Sequence, residues 1–266
     1  MNFFMIEPIR KSTLPLGRFA GVLASLLLTA GPLQAFTDGQ NASYVLGEPN
    51  FTTINLTLTP AQNTQINTYG VAYDRNGQRL FVADSQNNRV LVYNLSGGIV
   101  NGMNASQVLG QYNFVSRVIN GGSINPTQSG MRSPTGVTYD ASNPGSQRLF
   151  VADYLNNRVL VYNLPSGVIT DGMPASNVLG QAAFTSGVAN FGRGVFRPGN
   201  NGFQAPNYVS YDPTNKRLFV SDTTNHRVLA FDIPGGVING MPASNVLGPR
   251  GSLAPEEAPI PLRRRA

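Results

Sequence analysis

This 266-residue chain predicts an all-β fold built from repeated four-stranded units, on three observations. The first is a block that occurs three times. It reads Gly70-Val-Ala-Tyr-Asp74, Arg79-Leu-Phe-Val-Ala-Asp84 and Asn88-Arg-Val-Leu-Val-Tyr93. It returns as Gly136-Val-Thr-Tyr-Asp140, Arg148-Leu-Phe-Val-Ala-Asp153 and Asn157-Arg-Val-Leu-Val-Tyr162. Its third form is Tyr208-Val-Ser-Tyr-Asp212, Arg217-Leu-Phe-Val-Ser-Asp222 and His226-Arg-Val-Leu-Ala-Phe231. Asp84, Asp153 and Asp222 stand 69 residues apart at both steps. The second observation is a shorter element between the blocks, Ala-Ser-x-Val-Leu-Gly, at 42–47, 105–110, 175–180 and 243–248. Phe51, Phe114 and Phe184 follow its first three copies. The third is a content of 29 Gly and 19 Pro, which suits a turn-rich chain and not a helical repeat. Repetition of this kind marks supersecondary units that bury their faces only against neighbours.

Each element follows from residue chemistry. Gly70 to Tyr73 is an inner strand, a, closed by a turn at Asp74-Arg-Asn-Gly77. Leu80-Phe-Val-Ala and Val90-Leu-Val-Tyr are short, β-branched and aromatic, and they form strands b and c. Both of their alternating faces are apolar, so both are covered. Asp84-Ser-Gln-Asn-Asn88 is the polar hairpin between them. The Val-Leu-Gly element is an outer strand, d. Four antiparallel strands per unit, radially repeated, are blades of a β-propeller. A solenoid is the competing architecture.

At these residues the chain resembles the NHL-repeat family of β-propellers. The resemblance rests on Arg-Leu-Phe-Val-Ala-Asp followed by Asn-Asn-Arg-Val-Leu-Val-Tyr, with Asn225-His-Arg-Val-Leu nearest to the family wording. The Val-Leu-Gly-Gln element is similar to exported bacterial members. The resemblance spans about residues 42–248. It implies a six-bladed-type propeller fold and leaves chemistry open, since related propellers bind protein, RNA or small ligands, and some are lyases or hydrolases.

The blades are placed at about 42–110, 111–180 and 181–248. The order is then d, abcd, abcd, abcd. The leading outer strand at Ala42–Gly47 has no blade of its own, and three blades are fewer than the usual four or more. The expectation is an incomplete ring: a fragment of a longer propeller, or a chain whose ring is closed by a second chain.

Strand direction puts the long d–a connections, 51–69, 114–135 and 184–207, on the same face as the b–c hairpins. Large loops on a rigid frame are the default place for binding. The expected ligand contacts are Asn88, Arg89, Asn157, Arg158, His226 and Arg227, with Tyr112, Tyr154 and Phe203 as apolar platforms. A structural role competes: Asp84, Asp153 and Asp222 can pair across their hairpins with the following Arg and cap tight turns. Recurrence in every blade favours that role.

Several chemistries are excluded or weak. The chain has no Cys, which removes disulfides, thiolate nucleophiles and Cys-held metals. His226 is the only His, so a multi-His metal site cannot form within one chain, and a Ser-His-Asp hydrolase would rest on one hairpin residue. The alternative to a binding module is a Ca²⁺-dependent propeller enzyme of lactonase or lyase type, with Asp74, Asp140 and Asp212 as oxygen ligands. Each of these also reads as the first residue of an a–b turn. No cofactor is otherwise expected.

The net charge of +6 is spread over the ends and the body, and Lys216 is the only Lys in the body. Nucleic acid is therefore not an expected partner. Residues 1–35 read as an export signal, with Arg10, Lys11 and Arg18 ahead of an apolar run from Phe19 to Ala30. A membrane is expected only through an uncleaved signal. Residues 249–266, ending in three Arg, read as a disordered basic tail. Together these features predict a secreted, periplasmic or cell-surface binding module for protein or glycan.

Overall fold

The computed structural model describes residues 38–54, 59–143, 145–195 and 197–248. The leader read at 1–35 and the tail read at 249–266 lie outside them. The chain divides after Asn41, and every described strand belongs to the second unit, which begins at Ala42.

That unit holds three four-stranded antiparallel sheets, each in sequence order. Blade 1 comprises β1 (Thr68–Asp74), β2 (Arg79–Asp84), β3 (Arg89–Asn94) and β4 (Gln107–Leu109). Blade 2 comprises β5 (Pro134–Asp140), β6 (Arg148–Asp153), β7 (Arg158–Asn163) and β8 (Asn177–Leu179). Blade 3 comprises β9 (Pro206–Asp212), β10 (Arg217–Asp222), β11 (Arg227–Asp232) and β12 (Asn245–Leu247). Register repeats between blades: Asp84 faces Arg89, Asp153 faces Arg158 and Asp222 faces Arg227 across their hairpins.

The core lies between sheets. One apolar cluster joins Phe81, Val90 and Leu109 of blade 1 to Leu149, Val151 and Leu160 of blade 2. A second joins Phe150, Val159 and Leu179 of blade 2 to Leu218, Leu229 and Phe231 of blade 3. Tyr139 stacks on Phe81 with ring centroids 5.3 Å apart, and Tyr211 stacks on Phe150 at 5.8 Å. The middle strands of blade 2 carry two apolar faces because a neighbouring blade covers each side, while those of blades 1 and 3 have one blade neighbour among the described residues. Inner strands meet closely. A Cβ on Gly70 would lie 2.6 Å from the Thr135 carbonyl oxygen, and one on Gly136 would lie 2.7 Å from that of Asn207.

The expected leading strand is not formed: Ala42–Gly47 contains only bends and extended chain. It nonetheless occupies an outer-strand position relative to blade 1. Val45 receives the Gly102 N–H at 3.1 Å, as Val108 receives Gly172 and Val178 receives Gly240. The Val45 N–H donates to Asn101 Oδ1 at 3.0 Å, as Val108 donates to Asp171 and Val178 to Asn239. Gly47 has φ +91°, close to +86° at Gly110 and +85° at Gly180. A strand needs a pairing partner, and no described residue supplies a c strand beside this segment.

Candidate functional site

The b–c hairpins are built around a buried ion pair. Asp84 Oδ2 and Arg89 Nε are 2.7 Å apart and inaccessible to solvent, and Asp153–Arg158 and Asp222–Arg227 repeat that distance. The intervening residues form a 3₁₀ turn that ends in a left-handed residue: Asn88 (φ +53°), Asn157 (φ +50°) or His226 (φ +53°). Asn and His tolerate that conformation better than most side chains, which explains their place in the motif.

These groups reach inward. Arg158 donates through Nη1 to the Phe184 carbonyl at 2.5 Å and through Nη2 to the Thr127 and Gly130 carbonyls, both at 2.9 Å. Arg89 does the same with Phe114, Ala61 and Thr64. The second oxygen of each Asp accepts a connection amide, from Ile66, Arg132 or Gln204, at 2.7 Å. Asn88 and Asn157 bridge blades: Oδ1 accepts the Ser133 or Ala205 N–H and Nδ2 donates to the Arg117 or Gly187 carbonyl. Hydrogen bonding offsets the desolvation of these charges at every side-chain donor and acceptor but Arg227 Nη1, which has no partner among the described residues.

The expected ligand contacts are corrected accordingly. Asn88, Arg89, Asn157 and Arg158 spend their side-chain polar atoms on the hairpin pair and on holding the d–a connections, and Arg227 does so through Nε and Nη2. Phe203 is fully buried between blades 2 and 3 and is no platform. Tyr112 and His226 are exposed and Tyr154 is half-buried, so these three remain reachable on the long-connection face.

The Asp residues named as Ca²⁺ ligands are also corrected. Asp74 Oδ1 accepts the Asn76 and Gly77 N–H groups, while Oδ2 accepts from Arg79. Asp140 is engaged by Ser142 and Arg148, and Asp212 by Thr214 and Asn215. Each serves its own turn. Among the described residues no group of three or more His, Asp or Glu is placed to hold a metal.

Sequence reasoning missed a cleft. It lies between blades 2 and 3 on the a–b turn side, encloses about 440 Å³, and is lined by Asp140, Arg148, Tyr211 and Lys216 among others. A smaller cleft of about 380 Å³ repeats it between blades 1 and 2, around Asp74, Arg79 and Tyr139. The signal was present as the recurring Tyr-Asp at the end of strand a with Arg at the start of strand b. Burial raises the Asp140 carboxyl, but the Ser142 hydroxyl and amide and the Arg148 guanidinium outweigh it, and the group sits below its ordinary range. Burial pushes the Tyr139 hydroxyl up to about 12, with Asp74 adding to the effect. Arg148 reaches Asp140 at 2.7 Å and the Tyr211 hydroxyl at 3.2 Å. The Asp140 and Arg148 charges in the cleft thus neutralise one another.

The repeat geometry agrees with the comparison to known proteins. The chain is 24% identical over 169 residues to NHL repeat-containing protein 2 of Gallus gallus, an alignment covering 62% of this chain and 20% of that protein. The blades are similar to those of NHL-type propellers. It spans about a fifth of the length of that curated relative. No family model matches. Among solved structures, the nidogen/laminin complex is similar at 17% identity with a TM-score of 0.38, over 63% of this chain and 45% of that one. Asp and Arg recur at the hairpins because each blade has the same fastening.

Proposed function

We propose that the chain is a non-catalytic, exported binding module that takes a protein ligand on its long-connection face. The observation that carries this reading is the placement of exposed apolar side chains. Tyr112, just ahead of the 114–135 connection, and Val115, Val118, Ile119 and Ile124 within it are exposed, Ile124 by 94%. Leu155 of the blade 2 hairpin and Val188 and Val195 of the 184–207 connection add to them. The opposite face exposes one such residue per c–d turn, at Val100, Val168 and Ile238. Apolar groups concentrated on one face mark a surface for protein association. The frame beneath is fixed by the buried hairpin pairs, which suits a preformed site. The leader-like residues 1–35 support export.

The test immobilises the full chain and exposes it to secreted proteins and to a glycan panel. Saturable protein capture is expected, lost in an Ile124→Asp/Val188→Asp variant and retained in Val168→Asp. Binding of glycan alone, or equal loss in both variants, would contradict the reading.

A further inference from the structure

The two outer faces of the blade array carry unused halves of contacts that the inner faces complete. Val71 is 59% exposed, whereas Val137 and Val209, at the same position in blades 2 and 3, are 6% and 9% exposed because the preceding blade covers them. Tyr73 is exposed, whereas Tyr139 and Tyr211 stack on Phe81 and Phe150 and receive Arg79 and Arg148 on their hydroxyls. On the far side, Phe219 and Arg217 of blade 3 hold the positions of Phe81 and Arg79, and no Tyr is stacked on Phe219.

The outer strands show the same pairing of spare parts. Arg227 Nη1 is buried with no hydrogen-bond partner among the described residues. In blades 1 and 2 that atom is served by the carbonyls of Phe114 and Phe184, which follow the outer strand. The remaining copy of this motif is Phe51, behind the leading segment. Phe114 and Phe184 pack on apolar clusters, while Phe51 is 54% exposed. The leading segment sits in an outer-strand seat with no c strand to pair with. Conversely β12 is the least buried outer strand, with Asn245 and Leu247 exposed where β4 and β8 bury two of three residues.

We infer that two copies of this chain assemble head to tail by exchanging the leading segment. Ala42–Phe51 of one copy takes the outer position on β11 of the other in place of β12. In the register of β4, Leu46 lies opposite Val228, Val45 opposite Leu229 and Tyr44 opposite Ala230. The Phe51 carbonyl then meets Arg227 Nη1, and the Val71/Tyr73 face covers Phe219. A head-to-tail contact must close or propagate, and two copies give six blades, within the usual range of about four to eight. Two residues make this seam unlike the internal ones. Tyr208 stands where Gly70 and Gly136 admit the next backbone, and Tyr69 stands where Thr135 and Asn207 face those glycines. The seam is therefore wider near the axis and separates more readily.

Light scattering on the full chain should give twice the chain mass, and Val71→Asp should give a folded monomer with an unchanged β-type circular dichroism spectrum. The chain has no native Cys, so Tyr44→Cys/Ala230→Cys should yield a covalent dimer on a non-reducing gel. Tyr208→Gly should raise the dimer fraction at a given concentration. A monomeric wild type, or a dimer in which the engineered pair stays uncrosslinked, would overturn the inference. Loss of protein capture by Ile124→Asp/Val188→Asp without dissociation would separate this assembly from the binding reading.

Discussion

Arg158 makes four hydrogen bonds, one to Asp153 and three to carbonyls of chain remote in sequence. Removing one member of a buried charged pair costs about 3–5 kcal/mol, most of it from the charge left behind. The core tyrosines show how finely the repeats differ. Tyr93 is fully buried and its hydroxyl receives the Gln65 amide at 2.8 Å. Tyr162 holds the same place in blade 2, but Met131 replaces that Gln and the hydroxyl has no hydrogen-bond partner among the described residues. Blade 3 has Phe231 there. Tyr162→Phe should therefore be neutral or stabilising by about 1–2 kcal/mol, while Tyr93→Phe should cost about 1 kcal/mol. Thermal or urea unfolding of both variants checks this; equal destabilisation would refute it. Asp140 gives a pH prediction. Its carboxyl is held below its ordinary range when folded. The stabilisation is thus present above the unfolded value of about 3.9 and is lost as pH falls through the folded one. Asp140→Asn should flatten the fall in melting temperature below about pH 4; an unchanged slope would count against the Ser142 and Arg148 contacts.

At the scale of the element, the sequence made the twelve strands and their hairpins legible, because β-branched runs bounded by Asp, Asn and Gly repeat in register. It also made Ala42–Gly47 look like a strand, since its residues match those of β4. The match was real, but it encodes a position and not a hydrogen-bonded state, and the pairing strand is what decides the latter. The pairing of Asp84 with Arg89 was legible from its recurrence in every blade, whereas the bridging role of Asn88 and the carbonyl contacts of Arg89 were not, for a related reason. Polar residues in a hairpin look exposed until the connections that fold back over them are known, and those connections carry no repeat signal strong enough to place them. Close approach of blades was equally hidden, because a Gly in a strand can mark a bulge or a packed backbone. Gly136→Ala should cost about 1–3 kcal/mol by overpacking against Asn207 and Tyr208, measured by chemical denaturation. A cost below 0.5 kcal/mol, about that of an ordinary surface change, would argue that blades 2 and 3 do not meet so closely.

For the whole molecule, stability is a sum of blades and the interfaces between them. Blade 2 has a neighbour on each side, so β6 and β7 should be the slowest-exchanging strands. The long connections are structural parts of this assembly: each is tied to a hairpin by Asp and Arg, and it then presents its apolar residues outward. That tie is what makes the long-connection face a fixed surface. Hydrogen exchange by mass spectrometry on Arg158→Lys tests it most directly, because Lys keeps the charge beside Asp153 but cannot span the carbonyls of Thr127, Gly130 and Phe184. The account predicts that β6 and β7 stay protected while the amides of residues 118–133 exchange markedly faster. Unchanged protection across 118–133 would contradict it, and would return Arg158 to the role of a ligand contact.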